Sequence, residues 1–457
     1  MDNMSYFETI RKQYPTFIYK NYEIKERENK IILKFYFEIP GLTSFEPELV
    51  ILKKNFGWNE INTPFTRYLA FHIGLIELIS YWKSVCCPNV IVQCGYLSEE
   101  QIKWFQKLYF YGLGEFFYTN HITTSIEQFM NLTCTIPFTQ APLPQITSFD
   151  GTIIPIGGGK DSVVTCQLLK NQKKTDCFIV NPKEVTKQCA HLAGFSDEQT
   201  IEVIRQIDKN LLSLNQKGFL NGHTPFSSLL AFLSYFVAYL RGRKYIALSN
   251  ESSANESNVE GLKVNHQYSK SYEFETDFQT YCKQYLQAPI HYFSFLRPLN
   301  ELQIAMLFSR YEAYHPVFKS CNVGSKSASW KWCCNCPKCL FVYTILSPFL
   351  YPEKLIPIFG EDLFQKESLL DTFISLTGHT KNKPFECVGT YEEIIFALSK
   401  TISNLEKEEK PLPYLLQYYK QNYPLADLSY DLTTLYNMQN SLPKEFDEIL
   451  RKEVTND

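Results

Sequence analysis

The chain has 457 residues, of which 45% are hydrophobic and 15% aromatic, and this is enough apolar material for two or three globular domains. Its formal net charge of -3 gives no support to a protein that binds nucleic acid through bulk charge. Residues 1–17 lack the pattern of a signal peptide and the 14 cysteines lack the spacing of a secreted disulfide framework, so we expect a cytoplasmic protein with reduced thiols.

The first 145 residues are predicted to form a separate N-terminal α+β domain. KIILKFYFEIP alternates and is rich in aromatic and β-branched residues, which is typical of a strand. TRYLAFHIGLIELISYWKSV places apolar residues at helical spacing. NVIVQCG indicates a short buried strand, and SEEQIKWFQKLYFYGL indicates a helix that Ser98 would cap at its N-terminus.

A proline-rich, polar segment at 137–151 is predicted to be the linker to a second domain, 146–345. Strands and helices alternate after it, which predicts an α/β fold with a parallel sheet and helices on both faces. The predicted strands are TIIPI, TDCFIVNP and KYIALSN, and the predicted helices are DSVVTCQLLKN, DEQTIEVIRQID and the apolar run 226–240. That run is too short and too rich in serine to cross a bilayer comfortably, so we expect a buried helix and no membrane partner. Residues 346–457 are mainly helical in pattern and form the predicted C-terminal region.

A run of three glycines lies between the TIIPI strand and the helix that follows it. The complete segment is Gly157, Gly158, Gly159, Lys160, Asp161 and Ser162. Amides at a helix N-terminus bind anions, and glycine lets a phosphate approach the backbone closely. A Walker A loop is excluded because Asp161 follows Gly159-Lys160, and the Gly-x-Gly-x-x-Gly fingerprint is excluded because Ser162 takes the place of its last glycine. A plain glycine turn is the alternative.

The pattern that remains resembles the PP-loop, Ser-Gly-Gly-x-Asp-Ser, of enzymes that split ATP into AMP and pyrophosphate. Five of the six positions match when the free position is counted, and Gly157 replaces the first serine and its hydroxyl. The resemblance implies that residues 157–162 bind ATP, with the amides of residues 158–162 around its pyrophosphate end. It also implies that Ser162 adds a hydroxyl and that Asp161 helps to hold Mg²⁺.

Cysteines are concentrated in SCNVGSKSASWKWCCNCPKC, where five lie within nineteen residues. Three of them follow the pattern Cys-x2-Cys-x2-Cys, and a fourth lies twelve residues upstream. The predicted metal ligands are Cys321, Cys333, Cys336 and Cys339. Four thiolates form the tetrahedral sulfur set that zinc prefers and leave no open position, which favours a structural Zn²⁺ site. An iron–sulfur cluster and a set of buried small side chains are the alternatives, and Cys334 is predicted to point away.

The segment 250–278 is unusually polar for one that follows a core strand. Its carboxylates suit a metal or a substrate ammonium, and its other polar side chains can donate hydrogen bonds. The carboxylates are Glu251 and Glu256, and the donors include Asn255, His266, Gln267, Ser269 and Lys270. Arg297 stands just before Pro298 at a predicted helix start, where a guanidinium can hold a carboxylate or phosphate by two hydrogen bonds. The plainer alternatives are a solvated loop and an arginine that only caps and packs.

Several of these segments together resemble one family. In chain order they are PIGGGKDS, NESSANE, VNHQYSKSYEFE, FLRPLNELQIA, FKSCN and WCCNCPKCLF. In this order they resemble the MurL family of ATP-dependent UDP-N-acetylmuramoyl-L-alanyl-L-glutamate epimerases. The resemblance implies a PP-loop, HUP-like fold and a place in the synthesis of peptidoglycan precursors. It also implies inversion of the terminal L-glutamate to D-glutamate with ATP and Mg²⁺, releasing AMP and pyrophosphate.

The implied chemistry agrees with the residue types. The α-proton of a carboxylate is barely acidic, and adenylation of the carboxylate removes the charge that opposes its loss. A base is still needed near the α-carbon, and His266, Lys270 and the cysteines are the candidates. The predicted catalytic residues are thus Asp161, His266, Lys270 and Arg297, and the predicted substrate contacts are Glu251, Asn255, Glu256 and Arg297.

Two alternatives remain at this stage. The first is another PP-loop enzyme. It would be either one that resembles 7-cyano-7-deazaguanine synthase or one that modifies tRNA. The synthase has a similar four-cysteine zinc site but is much shorter than this chain. The second is a non-catalytic nucleotide-binding module stabilised by zinc. Hydrolysis of ATP to AMP that depends on a muramyl dipeptide substrate would separate both from the epimerase.

Overall fold

The structure is a computed structural model, and it describes residues 3–54, 57–255, 265, 267–324, 331–380 and 383–455. A mixed eleven-stranded sheet organises the described chain as far as residue 294. Its strands are β1 (Thr16–Arg27), β2 (Lys30–Ile39), β3 (Thr43–Phe45), β4 (Glu48–Leu52), β5 (Asn89–Val92), β6 (Asn131–Cys134), β7 (Thr152–Pro155), β8 (Thr175–Val180), β9 (Thr200–Gln206), β10 (Tyr245–Leu248) and β11 (His291–Ser294).

Sixteen α-helices are described, some on the faces of the sheet and the rest in the C-terminal region. They are α1 (Asn3–Gln13), α2 (Pro64–Trp82), α3 (Glu99–Gly112), α4 (Gly114–Thr119), α5 (Lys160–Leu169), α6 (Glu184–Leu192), α7 (Lys209–Gln216), α8 (Phe226–Arg241), α9 (Tyr272–Tyr281), α10 (Glu301–Ser309), α11 (Pro337–Leu346), α12 (Pro352–Phe359), α13 (Leu370–Leu376), α14 (Tyr391–Lys407), α15 (Tyr414–Asn422) and α16 (Lys444–Thr455).

The predicted elements of the N-terminal unit are confirmed. Strand β2 buries every second residue, as its alternating sequence requires. Helix α3 begins after Ser98, whose side chain accepts a hydrogen bond from the amide of Gln101, while the Gln101 side chain accepts one from the amide of Ser98. This reciprocal pair satisfies two amides that a helix N-terminus otherwise leaves without partners.

Five strands form a parallel half of the sheet in the order β9-β8-β7-β10-β11. The chain builds outwards from β7 to one side through β8 and β9, and then returns to the other side with β10 and β11. The direction of building reverses between β7 and β10, and in sheets of this kind ligands bind outside the carboxyl ends of the strands at that point. The predicted α/β class with helices flanking a parallel sheet is therefore confirmed.

The parallel half continues into the N-terminal strands, which the sequence did not indicate. Strand β4 pairs antiparallel with β9, with Val50 opposite Ile204 and Ile51 opposite Val203. A single sheet thus crosses the segment 137–151, which contains no helix or strand. The predicted boundaries of the three domains stay predictions.

One predicted helix is wrong. In DEQTIEVIRQID, only Asp197–Gln199 form a short 3-10 turn, and the following residues form β9. The first four residues of β9, from Thr200 to Val203, are all buried, so this part of the strand is covered on both faces, and β8 and β4 pair with its two edges. A strand buried on both faces does not alternate, so its spacing imitates that of a helix, and the β-branched residues were the better indicator.

The apolar run 226–240 is confirmed as a buried helix. It forms α8, most of whose side chains are buried and which ends at Gly242 in a left-handed conformation. Helix α8 packs against α2 on one face of the sheet. Within the described part of the chain, no helix combines the length and the apolar character that crossing a membrane requires. Helices α12 to α16 confirm the helical C-terminal region, and α14 packs on α11.

Candidate active site

The glycine segment forms the turn between β7 and α5, as its sequence indicates. Gly158 has a φ of +85°, which L side chains rarely adopt, and a Cβ at this position would lie 3.2 Å from Val185 Cγ1. A Cβ added to Gly157 would meet nothing within 4 Å, so packing does not demand a glycine there. Gly158 is thus needed for the turn, whereas the space beside Gly157 is open to a ligand.

A cavity of about 460 Å³ lies beside this turn, at the carboxyl ends of β7, β8 and β10. Its volume is that of a small-molecule site, and it lies at the point where the strand order reverses. Polar groups on its wall include Gly157, Gly159, Asp161, Ser162, Asn181, Lys183, Asn250, Glu251, Lys270, Ser320, Asn322, Lys338 and Cys387. Its apolar wall includes Phe178, Phe226, Leu230 and Leu248.

Lys160 lies behind this wall. Its ammonium is buried and forms ion pairs with Asp161, the next residue, and with Glu301, the first residue of α10. Burial raises the pKa of Glu301 to about 7, although Lys160 acts against this shift. Of the predicted ATP-binding residues, Gly158 and Lys160 do not line the cavity, and Lys160 supports its wall through Asp161.

The cavity brings together groups of both charges. Asp161 and Glu251 supply two carboxylates, and Lys270 and Lys338 supply two ammonium groups. Burial and then the charge of Asp161 raise the pKa of Glu251, which is consistent with the proximity of the two carboxylates. Neighbouring carboxylate oxygens are the donors that suit Mg²⁺, and ammonium groups bind phosphate. The predicted residues Asp161, Glu251 and Lys270 thus share one site.

Arg297 lies outside the cavity wall and is fully buried. Its guanidinium donates to the carbonyl of Glu251 at 2.6 Å and to the carbonyl of Lys270 at 2.5 Å. It also pairs with the buried carboxylate of Glu275 at 3.1 Å. The helix predicted to start at Arg297 begins later, at Glu301, after the N-cap Asn300. Arg297 therefore positions two segments of the wall from behind.

The other predicted site residues are not among the described residues in the wall of this cavity. Asn255 lines a different cavity, of about 540 Å³, together with Tyr268 and Tyr272, and its side-chain oxygen accepts a hydrogen bond from the amide of Tyr272. Glu256 and His266 lie outside the described residues. The candidate bases in the described part of the cavity are thus Lys270 and a cysteine, Cys387.

The four predicted metal ligands come together. Their sulfur atoms all lie within 4.8 Å of one another. The Sγ–Sγ distances are 3.9 Å for Cys321–Cys336, 3.7 Å for Cys333–Cys339 and 3.5 Å for Cys336–Cys339. A tetrahedron of sulfurs bound to zinc at ~2.3 Å has edges of about 3.8 Å, so the donor set fits zinc. Cys334 points to the carbonyl of Phe359 at 3.3 Å instead, as predicted.

The cysteine cluster is joined directly to the cavity wall. Ser320 and Asn322 flank Cys321, and Lys338 lies between Cys336 and Cys339 at the start of α11. All three flanking residues line the cavity. A metal held by the cluster would therefore fix this part of the cavity wall, which adjoins the glycine turn, because the amide of Lys319 donates to the carbonyl of Gly158 at 2.9 Å.

Sequence reasoning missed Lys338 and Cys387. For Lys338 the sequence did contain a signal, namely its position between Cys336 and Cys339. Once both cysteines are held in place, the direction of a residue between them is fixed as well. Cys387 lies in the segment PFECVGT between α13 and α14, which carries no motif. Only the packing of that segment on the cavity indicates a role for it.

Two family models match the chain: the MurL N-terminal domain covers residues 8–295, and the MurL C-terminal domain covers residues 317–425. The chain belongs to the MurL family. The glycine turn, Glu251 and Lys270 lie in the first match, whereas Lys338 and Cys387 lie in the second. The cavity is thus built from both MurL domains.

Curated relatives support the same assignment to the MurL family. A protein of a Micromonospora species is 34% identical over 72% of this chain and 73% of its own length. One from Salinispora tropica is 34% identical over 72% of this chain and 71% of its own, and one from Xanthomonas oryzae pv. oryzae is 31% identical over 74% and 75%. All three are named UDP-N-acetyl-alpha-D-muramoyl-L-alanyl-L-glutamate epimerase. The predicted family and the predicted enzyme class, an isomerase, are confirmed.

Proposed function

We propose that this protein inverts the terminal L-glutamate of UDP-N-acetylmuramoyl-L-alanyl-L-glutamate to D-glutamate, as a cytoplasmic enzyme of peptidoglycan precursor synthesis. The names of the relatives support the substrate. We further propose that the reaction consumes ATP and releases AMP and pyrophosphate. The observation that carries this step is the glycine turn that opens α5 on a cavity with Asp161 and Glu251 in its wall.

The nucleotide would bind with its phosphates at the glycine turn. Amides at the start of α5 and the hydroxyl of Ser162 can donate to phosphate oxygens, and the helix dipole favours an anion at this end. Lys183, Lys270 and Lys338 line the same cavity and can offset the negative charge. Asp161 and Glu251 would hold Mg²⁺, which supplies charge neutralisation at the phosphates when bound.

The first chemical step would be adenylation of the α-carboxylate of the terminal glutamate. A carboxylate oxygen attacks the α-phosphorus of ATP, the new O–P bond forms, and the bond from the α-phosphorus to the pyrophosphate oxygen breaks. Amides around the glycine turn can stabilise the departing pyrophosphate. The acyl adenylate has lost the carboxylate charge, so the adjacent C–H bond becomes acidic enough to break.

Inversion then requires loss of the α-proton and its return to the opposite face. The electron pair of the C–H bond moves into an enolate, whose oxygen needs a fixed donor nearby. Lys270 and Lys338 are described donors in the cavity wall. Addition of water to the acyl group finally releases AMP and the D-glutamate product, so that one ATP is consumed for each inversion.

A structural zinc ion is part of the proposal. Cys321, Cys333, Cys336 and Cys339 would hold it, and the fit of the sulfur–sulfur distances to a zinc tetrahedron supports this assignment. Its role would be to fix the chain around Lys338. No step of the reaction passes through it.

The test is incubation of the purified protein with ATP, Mg²⁺ and the L-glutamate substrate in D₂O. We expect AMP and pyrophosphate in equal amounts, with D-glutamate that carries deuterium at its α-carbon. Chiral analysis with mass spectrometry measures both changes in the hydrolysed product. ADP and phosphate as the main products would overturn the adenylation step, and exchange that proceeds equally well without ATP would overturn its role in activation.

A further inference from the structure

A cysteine from the second MurL domain reaches the wall of the ATP cavity. Cys387 lies in the segment 383–390 between α13 and α14, more than 220 residues after the glycine turn, and both line the same space. Among the described residues of the wall it is the single thiol. The proposed function gives it no role so far.

Cys387 lies against two lysines. Its Sγ atom is 3.2 Å from Nζ of Lys270, and its carbonyl accepts a hydrogen bond from Nζ of Lys338. An ammonium at this distance stabilises the thiolate form of a cysteine. Burial alone would lower the pKa of Lys270, but Cys387 and Glu251 raise it above the ordinary value, so Lys270 keeps its proton. The geometry thus pairs an ammonium donor with a thiol.

Neighbouring contacts hold the segment around Cys387 in place. The ring of Phe385 packs on Tyr118 of the N-terminal unit with centroids 5.4 Å apart, and Glu386 accepts a hydrogen bond from Asn322. Val388 is buried in the core, and a Cβ added to Gly389 would lie 2.6 Å from Glu393 Oε2. A thiol held on both sides in this way is fixed in direction, as a catalytic group must be.

The other charged groups of the wall are less suited to take a proton. Asp161 and Glu251 are the oxygen donors proposed for Mg²⁺, and Lys270 carries its proton already. Lys183 is proposed to offset the phosphate charge, and Lys338 donates to the carbonyl of Cys387. Cys387 is the described group of this wall with the chemistry of a base near neutral pH, because thiols titrate closer to neutrality than ammonium groups do.

We propose that the thiolate of Cys387, stabilised by Lys270, exchanges the α-proton on one face of the activated glutamate. This inference rests on the proposed function. In one direction the C–H bond breaks, its electron pair enters the enolate of the acyl adenylate, and the proton forms the S–H bond of Cys387. A second donor on the opposite face supplies the proton that completes the inversion, and in the reverse direction the S–H proton returns to carbon.

The test separates adenylation from proton transfer. Cys387→Ala should still release pyrophosphate in the first turnover, because the adenylating groups are untouched. Incorporation of deuterium at the α-carbon in D₂O should fall by at least about 100-fold, the usual contribution of a positioned acid or base. Cys134→Ala is the matched control, since Cys134 is also half-buried but lies in β6, outside the cavity wall, and it should change neither rate.

Alkylation of Cys387 by iodoacetamide, followed by mass spectrometry of its peptide, tests the lysine. Lys270→Met should move the pH midpoint of this alkylation upwards, whereas Lys270→Arg should keep it closer to that of the wild type. Exchange that persists in Cys387→Ala, or pyrophosphate release that falls as far as exchange does, would overturn the proposal. Wild-type protein that forms no AMP with the substrate would instead contradict the proposed function.

Discussion

Lys160, the first residue of α5, forms a buried ion pair with Glu301, the first residue of α10. Each side chain of this pair is 2% exposed. Glu301 is joined in turn to the C-terminal helices, because its amide donates to Glu393 at 2.8 Å. The turn that is proposed to bind ATP therefore rests on a chain of charged groups that ends in α14.

Breaking this pair should be costly. Glu301→Ala leaves the ammonium of Lys160 buried with Asp161 alone, and we expect the free energy of unfolding to fall by about 3–5 kcal/mol. Urea unfolding of the variant and of the wild type measures this fall in the free energy of unfolding. Glu38→Ala, which breaks the exposed pair with Lys20, is the control and should cost no more than about 1 kcal/mol. Equal losses for the two variants would contradict the structural role of Glu301.

Asp161→Asn should abolish most of the activity, and the protein should still fold because Lys160 keeps its ion pair with Glu301, although loss of the pair with Asp161 should lower its stability. The change removes a negative charge from the proposed Mg²⁺ site but keeps the size of the side chain, so kcat for AMP formation should fall by about 100- to 1000-fold. Asp150→Asn, an exposed position before β7, is the control. A variant with normal kcat, or one whose circular dichroism spectrum shows that it has unfolded, would contradict the assignment.

Metal analysis should find about one zinc ion per chain. Cys336→Ser should lose the ion and lower the free energy of unfolding by about 4 kcal/mol or more, as loss of a structural metal does. Because Lys338 follows this cysteine closely and lines the cavity, weakly metallated protein should also show a higher KM for ATP. Cys334→Ser should keep the zinc. Full stability in metal-free wild-type protein would refute the site.

Stability should depend on pH through Glu393. Burial, and after it the charge of Glu301, raises the pKa of Glu393 from 4.5 to about 7. The folded protein therefore holds this proton more tightly than the unfolded chain, so stability should fall as the pH rises from 4.5 to 7, by on the order of 3 kcal/mol.

Glu393→Gln should reduce this slope. It should also cost about 1–3 kcal/mol, because the two oxygens accept from the amides of Glu301 and Thr390 and an amide side chain can replace only one of them. Thermal or urea unfolding across this pH range gives the slope. Glu392→Gln, at the exposed neighbouring position, should leave it unchanged, and a wild-type stability that rises from pH 4.5 to 7 would contradict the assignment.

Local chemistry explains what the sequence alone could predict. The glycine turn before α5, the cap at Ser98 and the spacing of the four cysteines each involve residues close together in the chain, so their identities restrict the local conformation directly. The family resemblance had the same origin, because it rested on short motifs in a fixed order. These features identified the proposed phosphate-binding turn and the proposed metal ligands.

Contacts between distant residues decided the rest. Residues 200–206 form a strand and not the predicted helix because they pair with β4 in the sheet. Arg297 is a positioning residue because Glu275 and two backbone carbonyls surround its guanidinium. Cys387 gained a candidate role because its segment packs beside Lys270, 117 residues earlier in the chain. Burial and charge pairing at such positions depend on which parts of the chain meet in the folded protein, and a local sequence pattern does not indicate which residues those neighbours are.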